Sequence, residues 1–223
     1  MTRTEVLQQL LDARHSCRGF LPQPLPRETI ERILGLAQKG ASWCNAQPWQ
    51  VHVLSADATE QARNALLQHV ETEAADPDIA FPEAYVGVYS DRRRECAWRL
   101  YGAVGVARGD RVASAVQARE NFRFFGAPHV AIVSSEAKLG TYGAVDCGAF
   151  VSNFMLGAQS MGVATIAQAA LAAYSPFWHE RLGLGADRKV VCGISFGLED
   201  PAHPANAFRT DRAGLTEVMN WVD

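Results

Sequence analysis

Gly143-Ala144-Val145-Asp146-Cys147-Gly148-Ala149-Phe150-Val151-Ser152-Asn153-Phe154-Met155-Leu156-Gly157-Ala158-Gln159-Ser160-Met161-Gly162-Val163 is the most apolar stretch of this chain. Asp146, Asn153 and Gln159 interrupt it too closely for a membrane span, so 144–161 reads as a buried helix. A helix apolar on most sides needs partners on most sides, which sets the fold around it. After it come short strands expected at 163–167 and 189–196, with a helix at 176–182 between them. Before it lies a short buried strand at 130–134, preceded by helices near 92–107 and 111–122 and a looser stretch at 76–90. Further back, a helix covers 58–74 and a strand with β-branched Val51 and Val53 covers 50–55.

At the start, Val6, Leu7, Leu10 and Leu11 share one face of a helix over 4–13. Leu21-Pro22-Gln23-Pro24-Leu25-Pro26 cannot be helix or central strand. A second helix follows Pro26, with Ile30, Ile33, Leu34 and Ala37 as its stripe and Gly40 as its stop. Helices and strands mix without regular alternation, so the class is α+β. No repeat, low-complexity tract or linker divides residues 1–223, and a single domain is expected. The tail from Glu199 to Asp223 ends in Val218, Met219, Trp221 and Val222, and an apolar end implies docking.

Composition narrows the function. Lys plus Arg is 21 and Asp plus Glu is 24, a net charge of -3 that argues against a nucleic-acid or anionic-membrane binder. Arginine dominates the basic residues; Lys39, Lys138 and Lys189 are the lysines. The five cysteines form no CxxC pair and Met1–Leu11 has no signal-peptide core, so a cytoplasmic setting is expected. Neither glycine-rich phosphate motif occurs, the histidines show no zinc spacing, and no G-x-S-x-G elbow is present. No metal is expected.

Three segments are chemically unusual. Arg14-His15-Ser16-Cys17-Arg18 sets two arginines around hydrogen-bonding side chains at a helix end. That suits a phosphate, through forked charge-assisted bonds, or plain helix capping. Ser42-Trp43-Cys44-Asn45-Ala46-Gln47-Pro48-Trp49 offers amides that can read a heterocycle edge, or a turn with Trp49 anchored in the core. Phe208-Arg209-Thr210-Asp211-Arg212 is a basic run in the tail, which alone reads as solvated surface.

Taken together, the first two segments and their spacing resemble the opening of the nitroreductase family. Asn121-Phe122-Arg123-Phe124-Phe125-Gly126-Ala127-Pro128, Gly162-Val163-Ala164-Thr165-Ile166-Ala167-Gln168-Ala169-Ala170-Leu171 and Val191-Cys192-Gly193-Ile194-Ser195-Phe196-Gly197 are similar to the branch containing 4-nitrobenzoate reductases. The resemblance runs from about 10 to 221. It implies a mostly antiparallel central sheet flanked by helices, in an intertwined homodimer with FMN at the subunit interface and the tail (about 199–223) docked on the partner. Arg14, His15, Ser16 and Arg18 would hold FMN from one side. Arg14 and Ser16 fall at the phosphate and ribityl, and Arg18 at the pyrimidine edge. Ser42 and Asn45 would come from the partner. Ile166, Ala167, Gln168 and Ala169 would follow the flavin edge and offer a backbone N–H to N5, and Arg209 and Arg212 would reach the phosphate.

Trp43, Tyr101 and Phe124 are expected at the substrate face, although at least one of Phe124 and Phe125 is expected to pack in the core. The implied chemistry is ping-pong. NADH or NADPH gives hydride to flavin N5 and leaves, and a nitroaromatic or similar acceptor takes it, with no catalytic side chain. Rival readings are an enone, quinone or flavin reductase on the same scaffold, or a flavin-binding protein without turnover. The family pattern is broken at Ala41, where many relatives have Pro, and at Ala169-Ala170, where some have Glu-Gly. A mid-chain polar contact to the flavin falls at no assignable residue between 65 and 105.

Overall fold

The computed structural model describes residues 1–222; Asp223, the last residue of the expected docking tail, lies outside the described residues. The chain opens with α1 (Arg3–Ala13), where Thr2 and Glu5 form a reciprocal capping box. α2 (Arg27–Ala37) starts directly after Pro26 and buries Ile30, Ile33 and Ala37. Then follow β1 (Trp49–Leu54), α3 (Ala56–Thr72), α4 (Val88–Ala103) and α5 (Arg111–Arg119). The second half holds β2 (His129–Glu136), α6 (Gly140–Gln159), β3 (Ala164–Gln168), α7 (Ser175–Leu182), β4 (Arg188–Gly197) and the short α8 (Leu215–Val218).

The four strands form one sheet in the order β1-β2-β4-β3, and every neighbouring pair is antiparallel. Side chains alternate across this sheet and build two cores. One face, with Val133, Ile194 and Phe196, packs on α6 and α2 through Cys147, Phe150, Phe154 and Ile33. The other face, with Ile132, Ile166 and Val190, packs under Leu66, Phe124, Leu171 and Trp178. The expected buried helix is therefore α6, lying along one sheet face. Gly143 lets it approach, since a Cβ there would sit 2.4 Å from the Ser135 hydroxyl oxygen.

The bounds of α4, α5 and α6 differ most from the sequence expectation, α6 running from Gly140 to Gln159 rather than over 144–161. α4 begins at Val88 rather than near 92 and ends at Ala103 rather than near 107. Gly87 (φ 55°) and Gly105 (φ 75°) hold left-handed conformations that bracket it. α5 stops at Arg119 rather than near 122, because the chain turns at 120–123 into the left-handed pair Phe124 and Phe125. Among the described residues, no helix is long and apolar enough to cross a membrane.

Candidate functional site

At the end of α1 the chain turns extended at Arg14 (φ -64°, ψ 125°) and runs along the outer edge of β3. Ser16 bridges Thr165 in parallel, and the Cys17 N–H donates to the Thr165 carbonyl at 3.0 Å. Cys17 points inward and is fully buried. Its thiol donates to the Gly19 carbonyl at 3.1 Å, and burial pushes its pKa up to about 12. Alternation then sends Arg14, Ser16 and Arg18 to the opposite side.

The tail meets them there. Asn206 accepts the Arg18 N–H at 2.7 Å and donates to the Gly19 carbonyl at 2.9 Å. Phe208 lies under the Arg18 guanidinium at 5.7 Å. His15 Nε2 lies 3.1 Å from the Glu199 carboxylate and Nδ1 lies 3.2 Å from the Ala13 carbonyl, so its ring ties α1 to the tail.

Between these segments lies a cavity of about 270 Å³, lined by Arg14, His15, Ser16, Arg18, Phe208, Arg209, Thr210 and Arg212, with Leu11, Asp12 and Cys96. Four guanidinium groups thus meet from opposite ends of the sequence. None of the four takes part in an ion pair among the described residues. The one carboxylate on the wall, Asp12, accepts from Gln8 at 2.8 Å. Burial and the neighbouring Arg212 lower the Arg14 pKa, and burial lowers that of Arg18. Four crowded guanidiniums without an ion-pair partner, two of them partly desolvated, suit an anion, and their forked geometry suits a phosphate. These residues fit the phosphate end of FMN.

β3 is the edge strand, and its free side continues this site. Thr165 turns its carbonyl outward to Cys17, so two residues on Ala167 presents its N–H and C=O to the same edge. Gln168 turns inward and is 3 % exposed. It accepts from the Ser195 hydroxyl and donates to the Asn121 carbonyl at 2.9 Å, which fixes the end of the strand.

The Ser42–Trp49 loop lies elsewhere in the chain. Trp49 is a core anchor, stacked on Phe150 at 5.2 Å. Ser42 accepts the Gln47 N–H at 3.0 Å, and the Gln47 side chain donates to the Asn45 amide oxygen at 3.0 Å. Cys44, Asn45 and Gln47 all have φ between 47° and 56°. Asn tolerates that region, but the other two store strain, of the kind that gathers at ligand sites. Trp43 is 61 % exposed, packs edge-on to Tyr142 at 4.5 Å and donates its N–H to Asp146 at 3.2 Å. None of Ser42, Trp43 and Asn45 lines the arginine cavity.

Of the expected substrate-face residues, Phe124 must be reassigned. It is fully buried, beneath Arg63 at 5.7 Å and beside Trp178 at 6.3 Å. The left-handed turn at Phe124 and Phe125 drives both rings into the core. Tyr101 lines a separate cavity of about 450 Å³ between α4 and α5, with Trp98 and Arg108. From the unassigned middle of the chain, α4 brings Cys96 to the arginine cavity. Asn206 and Cys96 were not singled out in the sequence, since neither forms part of a recognisable ligand-binding pattern, whereas Phe208 opens the basic run at 208–212. Among the described residues no group of three His, Cys, Asp or Glu could hold a metal.

An anion site beside the edge strand of an antiparallel α+β sheet suits a ligand with a phosphate end. The nitroreductase family model matches residues 11–198. The chain is 34% identical over 222 residues to nitroreductase NfnB of Mycolicibacterium smegmatis, covering 97% of this chain and 93% of that one. It is 31% identical to a 4-nitrobenzoate reductase of Pseudomonas putida, covering 98% and 97%. The crystal structure of the FMN-dependent nitroreductase NfnB from Mycobacterium smegmatis in complex with NADPH superposes over 100% of both chains, with a TM-score of 0.94 and 32% identity. The chain belongs to the nitroreductase family.

Proposed function

We propose that this chain is an FMN-dependent oxidoreductase that uses NADPH or NADH to reduce nitroaromatic or similar aromatic acceptors, working as a homodimer in the reducing cytoplasm. The observation that carries the reading is the convergence of Arg14, Arg18, Arg209 and Arg212 without a carboxylate partner. Bound FMN supplies N5 as the hydride carrier between the pyridine nucleotide and the oxidant. Arg14, Ser16, Arg209 and Arg212 hold the phosphate. Arg18, fixed by Asn206 and by its own bond to the Ser16 carbonyl at 3.1 Å, places a charge at the pyrimidine edge. A preorganised cation there would stabilise the negative charge of the reduced cofactor. The free edge at Ile166–Ala169 would hold the ring through its backbone groups, and His15 ties the arginine segment to the tail.

Support for the dimer comes from unpartnered apolar faces. α1 buries none of its residues, although Val6, Leu7 and Leu11 are apolar, and Tyr142 and Val145 project outward from α6. The tail from 199 to 206 is tied to its own chain, while Leu215, Val218, Met219, Trp221 and Val222 are exposed and available to the partner. Ser42 and Asn45 then reach the flavin across the two-fold, with Trp43 and Tyr101 toward the substrate.

The test is purification without added cofactor. The protein should be yellow, release FMN on denaturation and oxidise NADPH or NADH faster with a nitroarene than with a quinone or an enone. Protein that takes up no flavin after reconstitution sinks the proposal; a preference for quinone or enone moves the activity within the family.

A further inference from the structure

Beside the anion cavity, α4 is tied to the tail by side-chain contacts. Arg99 is the point of attachment. Its Nη1 donates to the Arg209 carbonyl at 2.9 Å, and its Nη2 donates to the Asp211 carboxylate. One guanidinium therefore grips the chain on both sides of Thr210. Glu95, one turn earlier on α4, fixes that guanidinium by accepting from Nε at 3.1 Å and Nη2 at 2.6 Å. Further along, Arg92 pairs with Glu217 at 3.1 Å.

Within the tail, Arg209 donates to the Asn206 and Phe208 carbonyls, and Arg212 donates to Thr210 and the Asp211 carbonyl. Among the described residues, the hydrogen bonds from Arg99 are the only ones that reach residues 209–212 from outside the tail. Arg99 lines the adjoining cavity and not the arginine cavity itself.

We infer that Arg99 is a positioning residue for phosphate recognition, orienting Arg209 and Arg212 toward the anion without touching it. This rests on the flavin reading above. Exposed ion pairs in isolation add little stability, so the consequence lies in preorganisation. Without Arg99, the tail arginines lose their fixed direction, and ordering them must be done at the expense of binding.

FMN and riboflavin share the ring system and differ by the phosphate, so they separate this role from general loosening. Apoprotein of the wild type, Arg99→Gln, Asp211→Asn, Arg212→Ala and the Arg99→Gln/Arg212→Ala double variant is titrated with each flavin. Arg99→Gln should weaken FMN about tenfold and leave riboflavin unchanged. Asp211→Asn, which keeps the Arg99 bond to the Arg209 carbonyl, should move FMN in the same direction by less. In the Arg212→Ala background the Arg99→Gln effect should shrink. Equal losses for FMN and riboflavin, or unchanged FMN affinity, overturn the inference. Should Arg99→Gln fail to fold, the comparison of FMN with riboflavin in Asp211→Asn decides. Wild-type protein that binds neither flavin removes the flavin reading itself, which is a separate result.

Discussion

Cys17 and Thr165 are joined by a backbone hydrogen bond of 3.0 Å, and Ser16 sits in register beside it as a parallel rung on the edge of β3. The rung makes the arginine segment an extension of the sheet. Arg14, Ser16 and Arg18 then project beside the same strand edge to which Ala167 turns its N–H. A site built on a strand holds its geometry better than one on a free loop.

Arg18 is the residue whose removal should be felt most in the chemistry. Its backbone is fixed by Asn206 and its guanidinium lies over Phe208. Arg18→Ala should weaken FMN binding or slow flavin reduction by NADPH, by about 1.5–3 kcal/mol for one charged hydrogen bond. Flavin titration and single-turnover reduction measure the two effects. Unchanged affinity together with an unchanged reduction rate removes Arg18 from this role.

Arg14 and Arg212 yield a prediction of opposite sign in two states. Without an anion the two guanidiniums repel, and Arg212 contributes to lowering the Arg14 pKa. Arg212→Ala should leave apoprotein stability within about 0.5 kcal/mol of wild type, or raise it. The same substitution should cut the stabilisation conferred by added FMN by about 1.5–3 kcal/mol. Thermal melts with and without FMN check both parts. A large loss of stability in the apoprotein would show that Arg212 is structural.

The arginine cavity was legible because charge survives in a sequence: Arg14, Arg18, Arg209 and Arg212 stand out in a chain with few lysines, and the family pattern joined them. The apolar run of α6, the β-branched Val51 and Val53 of β1 and the short apolar run of β2 pointed to the layers in the same way. Phe124 was misplaced because its inward turn depends on two consecutive left-handed residues, which propensity does not foretell for phenylalanine. Asn206 and Arg99 were invisible for a different reason. Each acts through a contact distant in sequence, Asn206 with Arg18 and Arg99 with the tail, and no local pattern encodes such a partner.

The buried thiols should be chemically silent. Burial raises the pKa of Cys17 to about 12 and of Cys147 to about 11. The thiolate is the reactive form, so both should resist alkylation of the native protein at pH 8 and react only after unfolding. Peptide mass mapping after iodoacetamide treatment reads this directly. Rapid native labelling of Cys17 would mean that the rung to Thr165 opens readily.

Acid should weaken the fold through His129. Its Nε2 accepts the Leu25 N–H at 2.9 Å, and Nδ1 lies 3.3 Å from the Leu54 carbonyl. One nitrogen accepts and the other donates, so the ring is held neutral, joining the loop before α2 to the end of β1. Burial lowers its folded-state pKa, despite the opposing bond to Leu54. Below an ordinary histidine pKa of about 6.5 the unfolded chain binds the proton and the folded chain resists it. The contribution is therefore complete above that value and falls away as pH drops. His52, whose pKa is lowered by burial and by Arg188, adds in the same sense. Urea midpoints should hold between pH 8 and 7 and decline from 6.5 to 5.5. His129→Gln should lower stability at pH 8 by about 1–3 kcal/mol, because buried backbone groups lose partners, and should flatten the acid slope. A slope that is unchanged in His129→Gln would assign the acid sensitivity to other groups.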